Sequence, residues 1–315
     1  MIQKRMTKWL AEQITTTDLP ATVIPKTIRK ILNSKYGKKI ITDELITLKK
    51  NLQGKEAANI IYLYIELGLK NDSIKKIYSK KWHIKAKGIN ELYTMDQRDL
   101  LKVIYKNSNS KNDLVRTEAQ TGLVHMYGFD GLRFLNVISN PISEWQQIKL
   151  LAQLQNQQPD NVFYQKLKNW LQSKNDSVVI FSLKIAATKH IHQVIPIIVQ
   201  NCLYHNNSMI RKTAIESLIF FPEHINTLNL RKIYPTEIIQ NKLSILSVLQ
   251  KLGGQQDINF LKEIILNEEI DIAKAAMITL LKIAPEMINW KEHLLIQKNK
   301  VTQYTLHALD EIAFQ

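Results

Sequence analysis

One cysteine, Cys202, stands in a chain of 315 residues. A single thiol excludes an internal disulfide and a cysteine-rich zinc site, and it fits a reducing compartment. Glycine is scarce as well, with nine residues. None forms a phosphate-cradling loop, and there is no Walker or dinucleotide fingerprint. The pairs Gly128/Gly131 and Gly253/Gly254 sit where helices break, which suits helix capping. The longest apolar runs, such as Ile60 to Ile65 and Val194 to Val199, are far short of the roughly 20 residues that span a bilayer. The first residues carry charges but no apolar core of signal-peptide length. No stretch alternates apolar and polar residues long enough to suggest a sheet. The chain therefore reads as soluble and cytoplasmic, with an all-α fold.

Catalytic chemistry is equally thin. The histidines are His83, His125, His190, His192, His205, His224, His293 and His307. No two of them on one helix bracket a glutamate at zinc-protease spacing, and His190 and His192 fall on different helix faces. Cys202 and His205 are three apart, but a tetrahedral ion needs further ligands that nothing nearby supplies, so a buried thiol and a satisfied histidine are expected. The acids Glu268, Glu269 and Asp271 gather at a helix start, where they complement the helix dipole. The expectation is a protein that is not an enzyme, with no catalytic residues, no cofactor, no metal and no small-molecule substrate.

What is present is a beat. Ala57, Gly88, Ala119, Leu150, Ser182, Ala214, Ser244, Ala276 and Ala308 follow one another at spacings of 30 to 32 residues, each with an apolar residue four positions later. Such a period marks a stacked repeat. In the clearest unit Val115, Ala119 and Leu123 share one helical face. Asp113, Asp176 and Ser208 hold the phase of an N-cap. Arg116 is the recurring basic residue, with Lys85 and Arg211 at neighbouring phases, and all three are expected to be structural, making a ladder of inter-repeat hydrogen bonds to loop carboxylates or carbonyls. Gly128, Pro222, Gly253 and Pro285 come eight or nine residues after ladder positions and break the first helices. Second helices are expected over Leu132 to Ile138 and Ile258 to Ile265. Polar clusters at Asn107 to Asp113, Ser173 to Ser177, Asn206 to Ser208 and Lys298 to Lys300 separate the units.

The expected architecture is a right-handed α-α superhelix of about eight or nine helix pairs over residues 26 to 315, preceded by a helix and linker over 1 to 25 that holds Pro20 and Pro25. Charge divides it unevenly. Of the net +15, residues 1 to 110 contribute +12, from 22 basic and 10 acidic side chains, while residues 211 to 315 are neutral, with 12 of each. A basic end suits phosphates, anionic lipid or an acidic protein. Within it, Lys80, Lys81, Trp82, His83, Lys85 and Lys87 interleave cations with aromatic rings. That pattern suits partner binding or base stacking. Trp82 also lies in the first turn of a repeat helix, where it can staple that helix to the preceding unit, and both readings stay open.

The helix from Asp113 to Leu123 resembles the HEAT-like, armadillo-type repeat of bacterial helical solenoids. The strings Lys81 to Ile89, Pro141 to Gln147 and Ser173 to Phe181 are similar to those of a bacterial HEAT-repeat family of unassigned function. Members of that family typically carry one N-terminal membrane helix and are often encoded beside a membrane glycosyltransferase. The resemblance implies a non-catalytic scaffold or adaptor at the cytoplasmic face of the membrane. Its implied partners are a protein, such as the glycosyltransferase, and an anionic membrane surface, and it adds Trp145 to Trp82 as an exposed anchor. This chain lacks the membrane helix, so it is read either as beginning after one or as a member without one. In repeat type alone it also resembles the HEAT-like alkylpurine DNA glycosylases, which makes nucleic acid the alternative partner. The aspartate those enzymes place one turn from a tryptophan is missing: the residues four after Trp9, Trp82, Trp145, Trp170 and Trp290 are Gln13, Ala86, Lys149, Lys174 and Leu294.

Overall fold

The computed structural model describes residues 2–16, 24–224 and 226–290, and all regular structure in them is helical. Ala308, His293, His307, Leu294 and the Lys298 to Lys300 cluster lie outside the described residues, as does the expected linker over 17–23. The chain divides into two compact units, Met1–Gln157 and Gln158–Gln315.

The first unit begins with α1 (Ile2–Thr15), α2 (Lys26–Leu32), α3 (Lys35–Asn51), α4 (Gly54–Glu66) and α5 (Leu69–Ile77). It continues with α6 (Trp82–Thr94), α7 (Leu101–Asn107), α8 (Asp113–Tyr127) and α9 (Glu144–Gln153). Helix α1 buries Met6, Leu10 and Ile14 in one core with Ile41, Leu45, Ile60 and Leu63. The amide of Asn59 on α4 donates to the Ile14 and Thr16 carbonyls at 2.8 and 3.2 Å, satisfying groups that the end of α1 leaves without helical partners. Further along, α6 packs on α5 and α8, and α8 on α9.

The second unit comprises α10 (Asn161–Trp170), α11 (Asp176–Thr188), α12 (Ile195–Gln200), α13 (Ser208–Ser217) and α14 (Leu228–Ile233). Then come α15 (Ile239–Leu252), α16 (Ile258–Asn267) and α17 (Ile270–Ile283). Here α11, α13, α15 and α17 pack in succession, so the first helices of neighbouring repeats form one layer of this unit.

The ladder marks the buried seam of these first helices. Ala119, Leu150, Ser182, Ala214 and Ala276 are fully buried, and Ala57 and Ser244 nearly so. At Gly88 a Cβ would sit 2.7 Å from the Ile77 nitrogen and 2.7 Å from Lys76 Cβ, so only glycine lets α6 approach the end of α5 this closely.

Three expectations change. The caps fall one residue earlier than the sequence phase suggests: the side chains of Asn112, Asn175 and Asn207 accept from the backbone N–H groups of Val115, Ser177 and Met209. Asp113 and Asp176 are the first residues of their helices, where their charge favours the dipole but the oxygen one position back reaches the free amides. The second helix expected over Leu132 to Ile138 is a 3-10 segment, Gly128–Asn136. Gly128 turns the chain at φ +54 after α8, and a Cβ on Gly131 would overlap the Leu123 carbonyl oxygen, so only glycine lets the 3-10 segment lie this close to α8. By contrast, Ile258 to Ile265 does form a helix, within α16. Finally, Gly253 ends α15 in extended backbone, with φ −70 and ψ 164, and not in the left-handed form.

Candidate functional site

The basic residues singled out by phase separate into structural and exposed sets. Arg116 and Arg211 are structural. Each donates from a guanidinium nitrogen to the carbonyl six residues earlier, Ser110 at 2.7 Å and His205 at 2.8 Å, tying the loop to the helix that follows it. Arg116 also pairs with Asp113. Arg211 reaches further, placing Nε 2.6 Å and Nη2 3.0 Å from the two oxygens of Glu237, which precedes the next first helix. Asn241 completes that cluster, donating to Glu237 at 2.7 Å and to the Ser208 carbonyl at 3.1 Å. The hydrogen bond to Glu237 raises the Arg211 pKa, so the cation stays charged throughout. Lys85 departs from the pattern: its backbone N–H donates to the Lys81 carbonyl at 3.0 Å, but its ammonium makes no hydrogen bond or ion pair with a described residue. An ammonium lacks the forked donors that let a guanidinium grip a carbonyl and a carboxylate together.

The segment around Trp82 is where cations and aromatics meet solvent. Trp82 opens α6, half-exposed at 50%, with the His83 ring edge-on at 5.4 Å. Lys80 and Lys81 are exposed, and their ammonium groups, like that of Lys85, have no described partner. Lys87 is committed elsewhere, 2.7 Å from Asp43 of α3 and 3.9 Å from Glu91. Trp145, second residue of α9, is 74% exposed. Between them Leu114, second residue of α8, is 44% exposed.

These three side chains recur at similar spacing, Leu114 32 residues after Trp82 and Trp145 31 after Leu114, at the starts of three helices that pack in succession, although Trp82 stands one position earlier relative to its ladder residue than the other two. Each is exposed at the start of its helix, and the exposed Lys80 and Lys81 directly precede α6. Sequence reasoning missed Leu114, although the ladder held the signal. Leu114 and Trp145 each lie five residues before a ladder position, and so do the exposed Met209 and Ile239 of the second unit.

A buried charge cluster was also missed. Glu91 is wholly buried in α6, accepting from Ser73 Oγ at 2.5 Å and from Lys76 Nζ at 2.6 and 2.7 Å. Its place in a helix pattern gives no warning, because the ladder shows which face is buried but not which carboxylate finds a cation there. Cys202 is buried as expected. Its thiol points to the Leu171 carbonyl at 3.9 Å, and burial pushes its pKa up to about 12, which keeps it protonated and unreactive. His205 turns to the loop, where Nδ1 accepts from the Asn207 N–H at 3.0 Å. Glu268 accepts from Lys242 at 2.6 Å, and Asp271 lies in the first turn of α17. Among the described residues no three His, Cys, Asp or Glu side chains gather around a possible ion, and no helix is long and apolar enough to cross a membrane.

No protein-family model and no curated protein matches this chain. Among solved structures, an engineered protein is similar at a TM-score of 0.41 and 14% identity over 98% of each chain, a likeness too low to carry an argument.

Proposed function

We propose that this chain is a non-catalytic protein-binding scaffold, an adaptor that holds a protein partner at the cytoplasmic face of the membrane. The observation that carries the reading is the solvent exposure of Trp82, Leu114 and Trp145 at the starts of α6, α8 and α9. Exposed tryptophans are costly unless covered, and burying a large apolar side chain contributes about 2–3 kcal/mol, the scale of an interface anchor. The neighbouring Lys80, Lys81 and Lys85 favour an acidic rim on the partner, and a membrane glycosyltransferase is a candidate through the sequence resemblance alone.

Charge supports the membrane half of the proposal. Lys26, Arg29, Lys30, Lys35 and Lys39 on α2 and α3 are exposed beside an exposed Tyr36, and the charged group of none has a described partner, whereas Lys38 is held by Asp72 at 2.7 Å. Each lysine near anionic lipid contributes about 1 kcal/mol before screening. Nucleic acid exploits the same charges, and salt weakens both interactions, so salt dependence does not separate them.

Competition does. The full chain is expected to bind vesicles containing phosphatidylserine in preference to duplex DNA at physiological salt. Affinity capture from membrane and cytosol fractions is expected to retain a protein that Trp82→Ala and Trp145→Ala release. Preference for DNA, or identical capture by wild type and both variants, overturns the adaptor reading.

A further inference from the structure

We propose that His192 and His224 chelate a divalent transition ion of the zinc, nickel and copper class on the surface of the second unit. The two residues are 32 apart and equivalent, each ten positions after a buried ladder residue, Ser182 and Ala214. The stacking of α11 on α13 therefore brings together two histidines that no linear motif reveals. Their ring centres lie 5.2 Å apart, with planes inclined at 33°.

That separation matches the one that two imidazoles sharing a tetrahedral ion adopt. A zinc–imidazole bond of about 2.05 Å puts the ring centre about 3.2 Å from the metal, and a tetrahedral angle then separates two ring centres by about 5.2 Å. Both imidazoles are exposed, and beyond their mutual contact neither makes a hydrogen bond or ion pair with a described residue through its side chain. The ring nitrogens are thus free to ligate.

The backbone beneath them is fixed. The His192 N–H donates to the His190 carbonyl at 3.0 Å and the His224 N–H to the Phe221 carbonyl at 3.1 Å. The adjoining Ile191, Val194 and Phe221 are buried. Little ordering of the two side-chain bases is left for the ion to impose, which favours chelation over binding at one histidine. His190 takes no part, because its Nδ1 is 3.1 Å from the Phe220 carbonyl and its ring rests edge-on against Phe220.

No third described His, Cys, Asp or Glu joins the pair, so water fills the remaining positions. The site is an open two-imidazole chelate, and zinc, nickel and copper are the divalent ions that imidazole suits best. Binding requires neutral imidazoles and so competes with protons.

Calorimetric titration of the full chain with zinc chloride at pH 7.5 tests this, alongside His192→Gln, His224→Gln and the double variant. All four are first checked for the same thermal unfolding midpoint, as expected for exposed side chains. The expected result is one ion per chain, at least tenfold weaker binding in either single variant, and no further loss in the double variant. Affinity within twofold of wild type in either single variant, additive losses in the double variant, or no zinc binding by the wild type overturns the proposal. Each of these outcomes leaves the pair as two imidazoles in simple contact.

Discussion

Arg211 and Glu237 join consecutive repeats of the second unit through two charge-assisted hydrogen bonds of 2.6 and 3.0 Å, with the Glu237 side chain almost wholly buried. Removing the cation leaves a buried carboxylate held only by Asn241. Arg211→Ala is therefore expected to destabilise the chain by about 3 kcal/mol in urea unfolding, because an unpaired buried charge costs more than the pair contributes. Arg211→Ala with Glu237→Gln should recover part of that loss. A change below 1 kcal/mol in the single variant contradicts this role.

The position of the helix caps predicts a contrast between neighbours. Asn112→Ala removes the side chain that accepts from Val115, and should cost about 1 kcal/mol. Asp113→Ala loses only a dipole charge and an ion pair whose acidic partner is largely solvent-exposed, and should cost about 0.5 kcal/mol or less. Equal losses in chemical denaturation argue against Asn112 as the cap.

Trp82→Ala and Trp145→Ala are expected to leave stability within about 1 kcal/mol of wild type while weakening partner binding by tenfold or more. The reason is that each ring contributes more to an interface than to the core it leaves half-covered or bare. A drop in unfolding midpoint that accounts for the lost binding reassigns these residues to the fold. For Trp82 that outcome favours the staple.

Cys202 should be silent to thiol reagents at neutral pH, reacting with an aromatic disulfide reagent only at the rate of unfolding. Burial raises its pKa to about 12, so the folded state holds the thiol proton more tightly than the unfolded chain, where the pKa is near 8.5. The resulting stability is complete below pH 8.5 and is lost as pH rises toward 12. Cys202→Ala should remove that part of the alkaline destabilisation. Rapid labelling of native protein at pH 7 is the contrary result.

The repeat was legible because burial imposes it on residue size. Ala119, Ala214 and Ala276 are small where helices meet, and a helix that must approach a neighbour on one face repeats that demand at every unit. The exposed tryptophans were legible as types but not as a surface, since Trp82 satisfied the pattern of a staple and of an anchor alike. Lys87 and Lys85 sit two residues apart in one basic string, yet the ammonium of one is bound to Asp43 and that of the other has no described partner. That difference depends on where α3 passes, and no local pattern contains it.

The sequence by itself determined an all-α repeat chain, its buried ladder, its lone thiol and its uneven charge. These follow from composition and from periodicity within single helices, where neighbours in sequence are neighbours in space. Only the tertiary structure decided that Arg211 grips Glu237, that Glu91 lies buried on Lys76, that the second element after α8 tightens into a 3-10 segment, and that His192 meets His224. Each of these depends on distances between side chains on different elements, which stacking sets to within an ångström and sequence spacing does not.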